Sequence, residues 1–336
     1  MKQTTMQDIA TSLGISKNAV SLALSGKPGV SEELRRKVIE RAEALNYGAV
    51  GRHGAGKRLL ALLPLHLSNT QPGSSTFFQQ VCFHMEAYAK SRRSYLVFSS
   101  VSRGELANLT PPPIMSSINF DAIFPMSVMP IDYCRMIMGL GLPTVLVDNY
   151  FEELPCNCVT TANVSAAYQM TMHLIELGHR RIEFIGKRNM TASIFDRWAG
   201  YCRAMNRAGL PVRVNAYLDD PNENIISQAG IVRGIASFRD MPTAIVCSHD
   251  DEARMVCEIL NMRGLKVPGD VSVTGFDDLP SHNLNPIGLT TYRTDTRNIA
   301  RTAIDMYLDA PPSPRRILIF GEQIFRGSTA APRENL

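Results

Sequence analysis

Thr5-Met6-Gln7-Asp8-Ile9-Ala10, continued by Leu13-Gly14-Ile15-Ser16-Lys17-Asn18-Ala19-Val20-Ser21-Leu22-Ala23-Leu24-Ser25, is the stretch that decides the fold. Thr5 is placed to cap a first helix, and Asp8 lies in its first turn, where the helix dipole favours a carboxylate. Ile9 and Leu13 stand four apart on one face. Gly14 ends the helix, because glycine tolerates the left-handed conformation that such an end demands. Ile15 follows as a plug, and Ser16 starts a second helix from Lys17 to about Leu24, with Val20, Ala23 and Leu24 facing inward. Gly26-Lys27-Pro28-Gly29 reads as a loop. Ser31 caps a third helix, with Glu32 and Glu33 near its positive end. Its apolar residues Leu34, Val38, Ala42 and Leu45 recur at helical spacing. Two short helices joined through a glycine turn, then a longer one, is a helix-turn-helix arrangement.

Charge separates this segment from the rest. The first 58 residues hold ten Lys and Arg against five Asp and Glu, whereas the remaining 278 hold 25 against 26. A small basic module of this kind suits an anionic partner. The second helix would enter the major groove, presenting Lys17, Asn18, Ser21, Leu22 and Ser25. A three-helix module that binds protein is the bland alternative.

From Leu59 onward, short apolar runs alternate with helical patterns. The strand-like runs are 59–63, 95–98, 122–124, 144–147, 181–185, 244–247 and 271–274. Between them lie helix-period sets such as Ala166, Met170 and Leu174, or Ile299, Ala303 and Met306. This alternation predicts an α/β core of doubly wound parallel sheets, which bind ligands outside the carboxyl ends of their strands. Leu106 to Ser117, with three consecutive prolines, reads as a loop.

The remaining features narrow the class. Seven scattered cysteines without a C-x-x-C pair fit reduced thiols in a cytoplasmic protein. No apolar run of membrane-spanning length and no signal-peptide pattern is visible, so no membrane partner is expected. Gly51 to Lys57 imitates a phosphate-binding loop, but Arg58 stands where the metal-binding hydroxyl belongs, and a strand follows instead of a helix. No nucleophile elbow or zinc-protease motif occurs. Asp250 is read as the cap of the helix that follows it, and Asp250-Asp251 is not taken as a metal site. No enzyme, cofactor or metal is therefore expected.

The head residues quoted above, with Val30-Ser31 and Leu45-Asn46-Tyr47, resemble the LacI/GalR family of transcription regulators. So do Leu177-Gly178-His179-Arg180-Arg181-Ile182, Phe184-Ile185-Gly186, Arg197-Trp198-Ala199-Gly200-Tyr201, Val267-Pro268-Gly269-Asp270-Val271, Gly275-Phe276-Asp277-Asp278 and Phe325-Arg326-Gly327-Ser328-Thr329. The resemblance implies a helix-turn-helix head at 1–47, a hinge at 48–58 and a periplasmic-binding-protein-like core at 59–336. The core would comprise one subdomain at about 59–157 plus 288–319 and a second at about 158–287 plus 320–336, with crossovers near 158, 287 and 320. It further implies a homodimer on near-palindromic double-stranded DNA, usually as a repressor, controlled by a small effector of the sugar class. A cytosolic sugar receptor without gene control is the alternative.

Carried over residue by residue, Lys17 and Asn18 occupy base-reading positions, and Ser16, Ser21 and Ser31 match phosphate contacts. Thr5, Leu22 and Ser25 complete the expected DNA set. Leu22 replaces a residue that is often Arg, so an operator differing at that base is expected, since Leu offers only apolar contact. Ala19 and Ser25 replace the usual Thr and Asn. The hinge lacks the family's wedge Leu and holds four glycines, which predicts a poorly helical tether with Val50 as the one apolar wedge and with Arg52, Lys57 and Arg58 near phosphate. The expected effector residues are Asp148, Arg197, His249 and Asp277, whose fixed hydrogen bonds suit hydroxyls, and Phe77 and Phe78 as an aromatic lining. Ala162-Asn163 stands where the family often has Asp-Asn.

Overall fold

The computed structural model describes residues 5–25, 27–45, 56–64, 77–213, 228–279, 288–311 and 313–333. The hinge expectations for residues 48–55, including Val50 and Arg52, lie outside the described residues. The chain divides into two compact units, Met1–Lys57 with Ser91–Tyr95, and Arg58–Lys90 with Leu96–Leu336.

In the first unit, helices α1 (Met6–Leu13), α2 (Lys17–Ser25) and α3 (Glu32–Ala44) follow the predicted order. Thr5 caps α1 in a reciprocal box with Asp8, and Gly14 adopts φ 67° at its end. The Ser16 hydroxyl accepts from the Ala19 N–H at 3.1 Å, and the Ser31 hydroxyl from the Leu34 N–H at 3.2 Å. Ile9, Ala10, Val20, Ala23, Leu24, Val38 and Ala42 form the buried core. A core this small contributes little stability to spare. Polar ties therefore matter: Arg35 on α3 reaches across to the carbonyls of Ala23 at 3.0 Å, Lys27 at 2.9 Å and Leu22 at 3.3 Å.

The second unit holds two sheets. Strands β1 (Arg58–Pro64), β2 (Tyr95–Val101) and β3 (Ala122–Pro125) form the order β2-β1-β3, and β4 (Val145–Val147), β5 (Asn157–Thr161) and β10 (Arg316–Ile319) form β10-β5-β4. Parallel bridges at Ile123–Thr144 and Met126–Val147 join the two sets edge to edge. The second sheet runs β11-β9-β8-β7-β6, from β6 (Ile182–Ile185), β7 (Ala244–Cys247), β8 (Ser272–Asp277), β9 (Thr290–Arg293) and β11 (Glu322–Ile324). Its strands are parallel except β11, which is antiparallel to β9.

Helices cover both sheets. On the first lie α4 (Phe77–Ser91), α5 (Arg103–Asn108), α6 (Ile114–Ser117), α7 (Ile131–Gly139) and α12 (Thr296–Leu308); on the second, α8 (Asn163–Glu176), α9 (Ala192–Arg207), α10 (Gln228–Ala236) and α11 (Asp250–Met262). Strands β3 and β7 are buried along their whole length, which is why they read as continuous apolar runs, and β6 is equally buried although it carries Glu183. A side-chain carbon at Gly200 of α9 would strike the Val164 carbonyl of α8, so glycine there permits the close approach of the two helices.

Three details depart from the sequence reading. Arg58 opens β1, its N–H held by the Asp121 carboxylate at 2.8 Å, and so belongs to the core and not to a tether. Residues 106–117 are not a plain loop but end α5 and form α6. The cause is a capping box in which the Ser102 hydroxyl accepts from the Glu105 N–H while the Glu105 carboxylate takes the Ser102 N–H. The prolines then separate the two short helices. The crossovers also shift. β5 stays in the first sheet through Thr161 and β9 stays in the second through Arg293, so the chain passes between sheets at 162, at 294–295 and at 320–321.

Candidate DNA-reading helix and candidate ligand site

On the head, Lys17 and Asn18 are exposed in the first turn of α2, and Lys17 makes no ion pair among the described residues. Ser21 and Leu22 are half-buried. Leu22 is partly committed to structure, since its side chain lies against Gly29 at the position a Cβ would crowd at 3.3 Å. Ser16, Ser31 and Thr5 are exposed but already serve as caps, and the Thr5 hydroxyl donates to Asp8 at 2.7 Å. Ser25 is the last residue of α2. Lys17 and Asn18 are thus the DNA-set residues at the start of α2 that stand exposed without serving as caps.

In the core, the structure gathers Asp148, Arg197, His249 and Asp277 at the carboxyl ends of β4, β7 and β8, as the fold class demands. Asp148 follows β4 in the left-handed region at φ 56°, and Asp277 ends β8 at φ 103°. Such backbone strain is tolerated at binding sites. Arg197, on the second turn of α9, is 5% exposed and is the centre of the cluster. Its Nε donates to Asn163 Oδ1 at 2.8 Å and its Nη1 to the Ser248 carbonyl at 2.6 Å. Its Nη2 faces Asp277 Oδ1 at 3.7 Å, and the guanidinium lies over the Phe276 ring, 3.7 Å from the centroid. Asp148 Oδ1 accepts from the Ser193 hydroxyl at 3.1 Å. Ser193 and Arg197 share one face of α9 because they are four apart.

His249 caps α11, its Nδ1 accepting from the Glu252 N–H at 3.1 Å. This displaces Asp250 from the capping role read in the sequence. Asp250 is the first residue of the helix, and its carboxylate instead takes the Leu279 N–H at 2.6 Å and the Thr291 hydroxyl at 2.7 Å. Phe77 also departs from expectation. It points with Val81, Met85 and Ala89 into the core of the first sheet, and Phe78 packs on it edge-to-face at 5.0 Å. Ser193, Asn163, Ser248 and Glu252 were missed. Only the Ser193–Arg197 spacing and the Asn163 motif position signalled any of them.

Burial dominates the protonation of the cluster. Asp148 and Asp250 are pushed up to about 7 and Glu252 to about 8, although Arg197 opposes the rise at Asp148. Glu183, buried in β6, is likewise raised to about 7. Each retains a proton that the unfolded chain releases near pH 4, so its stabilising contribution is complete below that pH and is lost as pH rises through about 7 to 8. His249 is pushed down to about 3 by burial first, then by Arg197 and Arg254. It acts in the opposite sense, but only below about pH 6.5. Between about pH 6.5 and 8, stability is expected to fall with rising pH, by at most about 1.4 kcal/mol per pH unit for each proton retained. Urea midpoints across that window measure it, and Glu252→Gln should flatten the slope. A midpoint that climbs with pH refutes the assignment.

Comparison with known proteins places both parts. Residues 5–49 match the description "Bacterial regulatory proteins, lacI family", and residues 171–329 match "Periplasmic binding protein-like domain". The chain is 25% identical over 313 residues to the transcriptional repressor PurR of Photobacterium profundum, covering 91% of each. It is 25% identical over 316 residues to the ribose operon repressor of Haemophilus influenzae, covering 92% of each. Over 179 residues it is 30% identical to the arabinose metabolism transcriptional repressor of Geobacillus stearothermophilus, covering 52% of this chain and 49% of that one. The fold matches a transcriptional regulator CelR–cellobiose complex (TM-score 0.67, 21% identity, 97% of this chain and 100% of that one). It equally matches the lac repressor dimer bound to operator and the anti-inducer ONPF (TM-score 0.67, 20% identity, 98% and 100%). Among the described residues no helix is long and apolar enough to cross a membrane.

Proposed function

Because the chain belongs to the lacI family of bacterial regulatory proteins, we propose that it is a sequence-specific transcriptional regulator, acting as a repressor, whose operator affinity is set by a small sugar-class effector. The observation that carries the reading is the helix-turn-helix head with Lys17 and Asn18 exposed at the start of α2. Two copies, related by two-fold symmetry, would each read one half of a near-palindrome. The buried Asp148–Arg197–Asp277 cluster supplies both acceptors and a fixed guanidinium fork, the pairing that holds vicinal hydroxyls. The cluster draws on both sheets of the core: Asp148 follows β4 of the first, and Asp277 ends β8 of the second. A ligand that binds there more tightly in one arrangement of the sheets would shift the population and change operator affinity, a coupling of about 1–3 kcal/mol.

Selection from random duplexes with the full chain, at one fixed salt near physiological, tests the proposal. A near-palindromic motif is expected. Lys17→Ala and Asn18→Ala should each lose about 1–3 kcal/mol on it and relax the base preference at one position per half-site. Recovery of no motif, with binding that vanishes as salt rises, would mean phosphate contact alone and would overturn it.

A further inference from the structure

We infer that Tyr150 and Asp196 are positioning residues that latch the two sheets of the core to each other and so set operator affinity from a distance. This rests on the regulator reading above and names a contact through which operator binding is controlled. The Tyr150 hydroxyl donates to Asp196 Oδ1 at 2.9 Å. Tyr150 stands in the loop between β4 and β5 of the first sheet, and Asp196 in the first half of α9, which covers the second. The chain joins the two sheets by the passages at 162, 294–295 and 320–321. Short connections of this kind permit the joined bodies to turn. Side-chain ties across the gap therefore decide which arrangement is populated.

The first-sheet side holds Tyr150 in place. The Arg316 guanidinium lies over its ring, 4.1 Å from the centroid, and Arg316 Nη1 in turn binds Glu152 at 3.0 Å. The Tyr150 N–H donates to Asn149 Oδ1 at 2.9 Å, and the buried Asn149 amide donates to the Ser127 carbonyl at 2.7 Å. A tyrosine fixed in this way loses little further freedom when its hydroxyl meets Asp196. Arg316 also opens β10, whose end at Ile319 leads into the passage at 320–321. The stacked pair thus couples the latch to a segment about which the sheets can turn.

A second tie lies beside the first. The Ser193 hydroxyl of α9 meets the Asp148 carbonyl at 3.2 Å and Asp148 Oδ1 at 3.1 Å. Ser193 and Asp196 are three apart on one face of the helix, and Asp148 and Tyr150 are two apart in the loop, so the ties run side by side. The two differ in kind. Asp148 and Ser193 are buried and belong to the Arg197 cluster. Tyr150 and Asp196 are half-buried, so water can replace their hydrogen bond when the sheets part. A bond that solvent can take over opens far more readily than one between buried groups, which would be left without partners. Tyr150–Asp196 is therefore the tie that yields first, and its removal shifts the arrangement of the sheets without emptying the core.

The test combines amide hydrogen exchange of the full chain with operator binding, followed by fluorescence anisotropy on the near-palindrome recovered by selection. It compares wild type with Tyr150→Phe, Asp196→Ala, Asp196→Asn and the double variant Tyr150→Phe with Asp196→Ala. Both sites are half-buried, and Tyr150→Phe keeps a ring beneath Arg316, so the variants should fold. Tyr150→Phe and Asp196→Ala are each expected to raise exchange in the β4–β5 loop and the start of α9 together. Each should also change operator affinity by about fivefold or more, both in the same direction. Asp196→Asn, whose amide oxygen still accepts from the hydroxyl, should lie closer to wild type than Asp196→Ala. The double variant should do no more than either single one, as befits two halves of one contact. Wild-type operator affinity in Tyr150→Phe overturns the proposal, and so do effects that add in the double variant. If selection recovers no operator, the regulator reading fails, and hydrogen exchange alone then judges the latch.

Discussion

Arg197→Leu is expected to lower the stability of the core by about 3–5 kcal/mol and to abolish the response of operator binding to any effector. The cost follows from what the substitution leaves behind. Asp277 and Asp148, both buried, lose the cation that opposes the rise in their pKa values. Asn163 Oδ1 and the Ser248 carbonyl lose their donors, and the Phe276 ring loses the group stacked upon it. Removing one member of a buried ion pair is costly chiefly because the other stays buried and uncompensated. Arg197→Lys should recover only part of the loss, since an ammonium cannot serve Asn163, Ser248 and Asp277 from one plane. The double variant Arg197→Leu with Asp277→Asn should be more stable than Arg197→Leu alone, because the orphaned charge is gone. Urea denaturation of the three variants measures this. A loss below about 1 kcal/mol for Arg197→Leu, against the cost expected of a buried pair, would show that the cluster is not the polar centre of the core.

Arg35→Ala is expected to remove most operator binding although Arg35 points away from the presenting face of α2. Its guanidinium, 15% exposed, satisfies the carbonyls of Leu22, Ala23 and Lys27 at the end of α2. Leaving such groups without donors costs about 1–3 kcal/mol, a large share of what a head of this size holds. Arg36→Ala is the control, because Arg36 is 72% exposed and reaches Glu40 only at 3.9 Å. Exposed pairs of that kind contribute about 0–1 kcal/mol. The salt dependence separates folding from contact. Loss of a phosphate contact lowers the slope of log affinity against log salt by about 0.9, whereas loss of head stability leaves the slope as it was. Equal operator affinity for the two variants would refute the structural role of Arg35.

Much of this protein was legible from one sequence because its signals are local. The Thr5 cap with Asp8 in the first turn, the Gly14 turn and the apolar spacing of α3 name the head without reference to anything distant, and each is found as read. Fully buried strands such as β3 and β7 declare themselves by unbroken apolar runs. The strands β5 and β9 escaped, because their residues include Asn157, Thr160, Thr161, Thr290 and Thr291. A run of threonines carries no hydrophobic signature, yet Thr160, Thr161, Thr290 and Thr291 are fully or nearly fully buried once neighbouring strands pair with them. Missing β5 and β9 is also what misplaced two crossovers.

By itself, then, the sequence determined the elements whose cause lies within a few residues: the head, the main strands, the helix faces, and the positions of Asp148 and Asp277 at strand ends and of Arg197 near the start of a helix. Only the tertiary structure decided what those residues do. It turned Phe77 into the core, gave the α11 cap to His249 and buried Asp250 against Thr291. The reason is physical. A cap or a turn is settled by hydrogen bonds to the next few residues, whereas the burial and partner of a polar side chain are settled by whichever distant element packs against it.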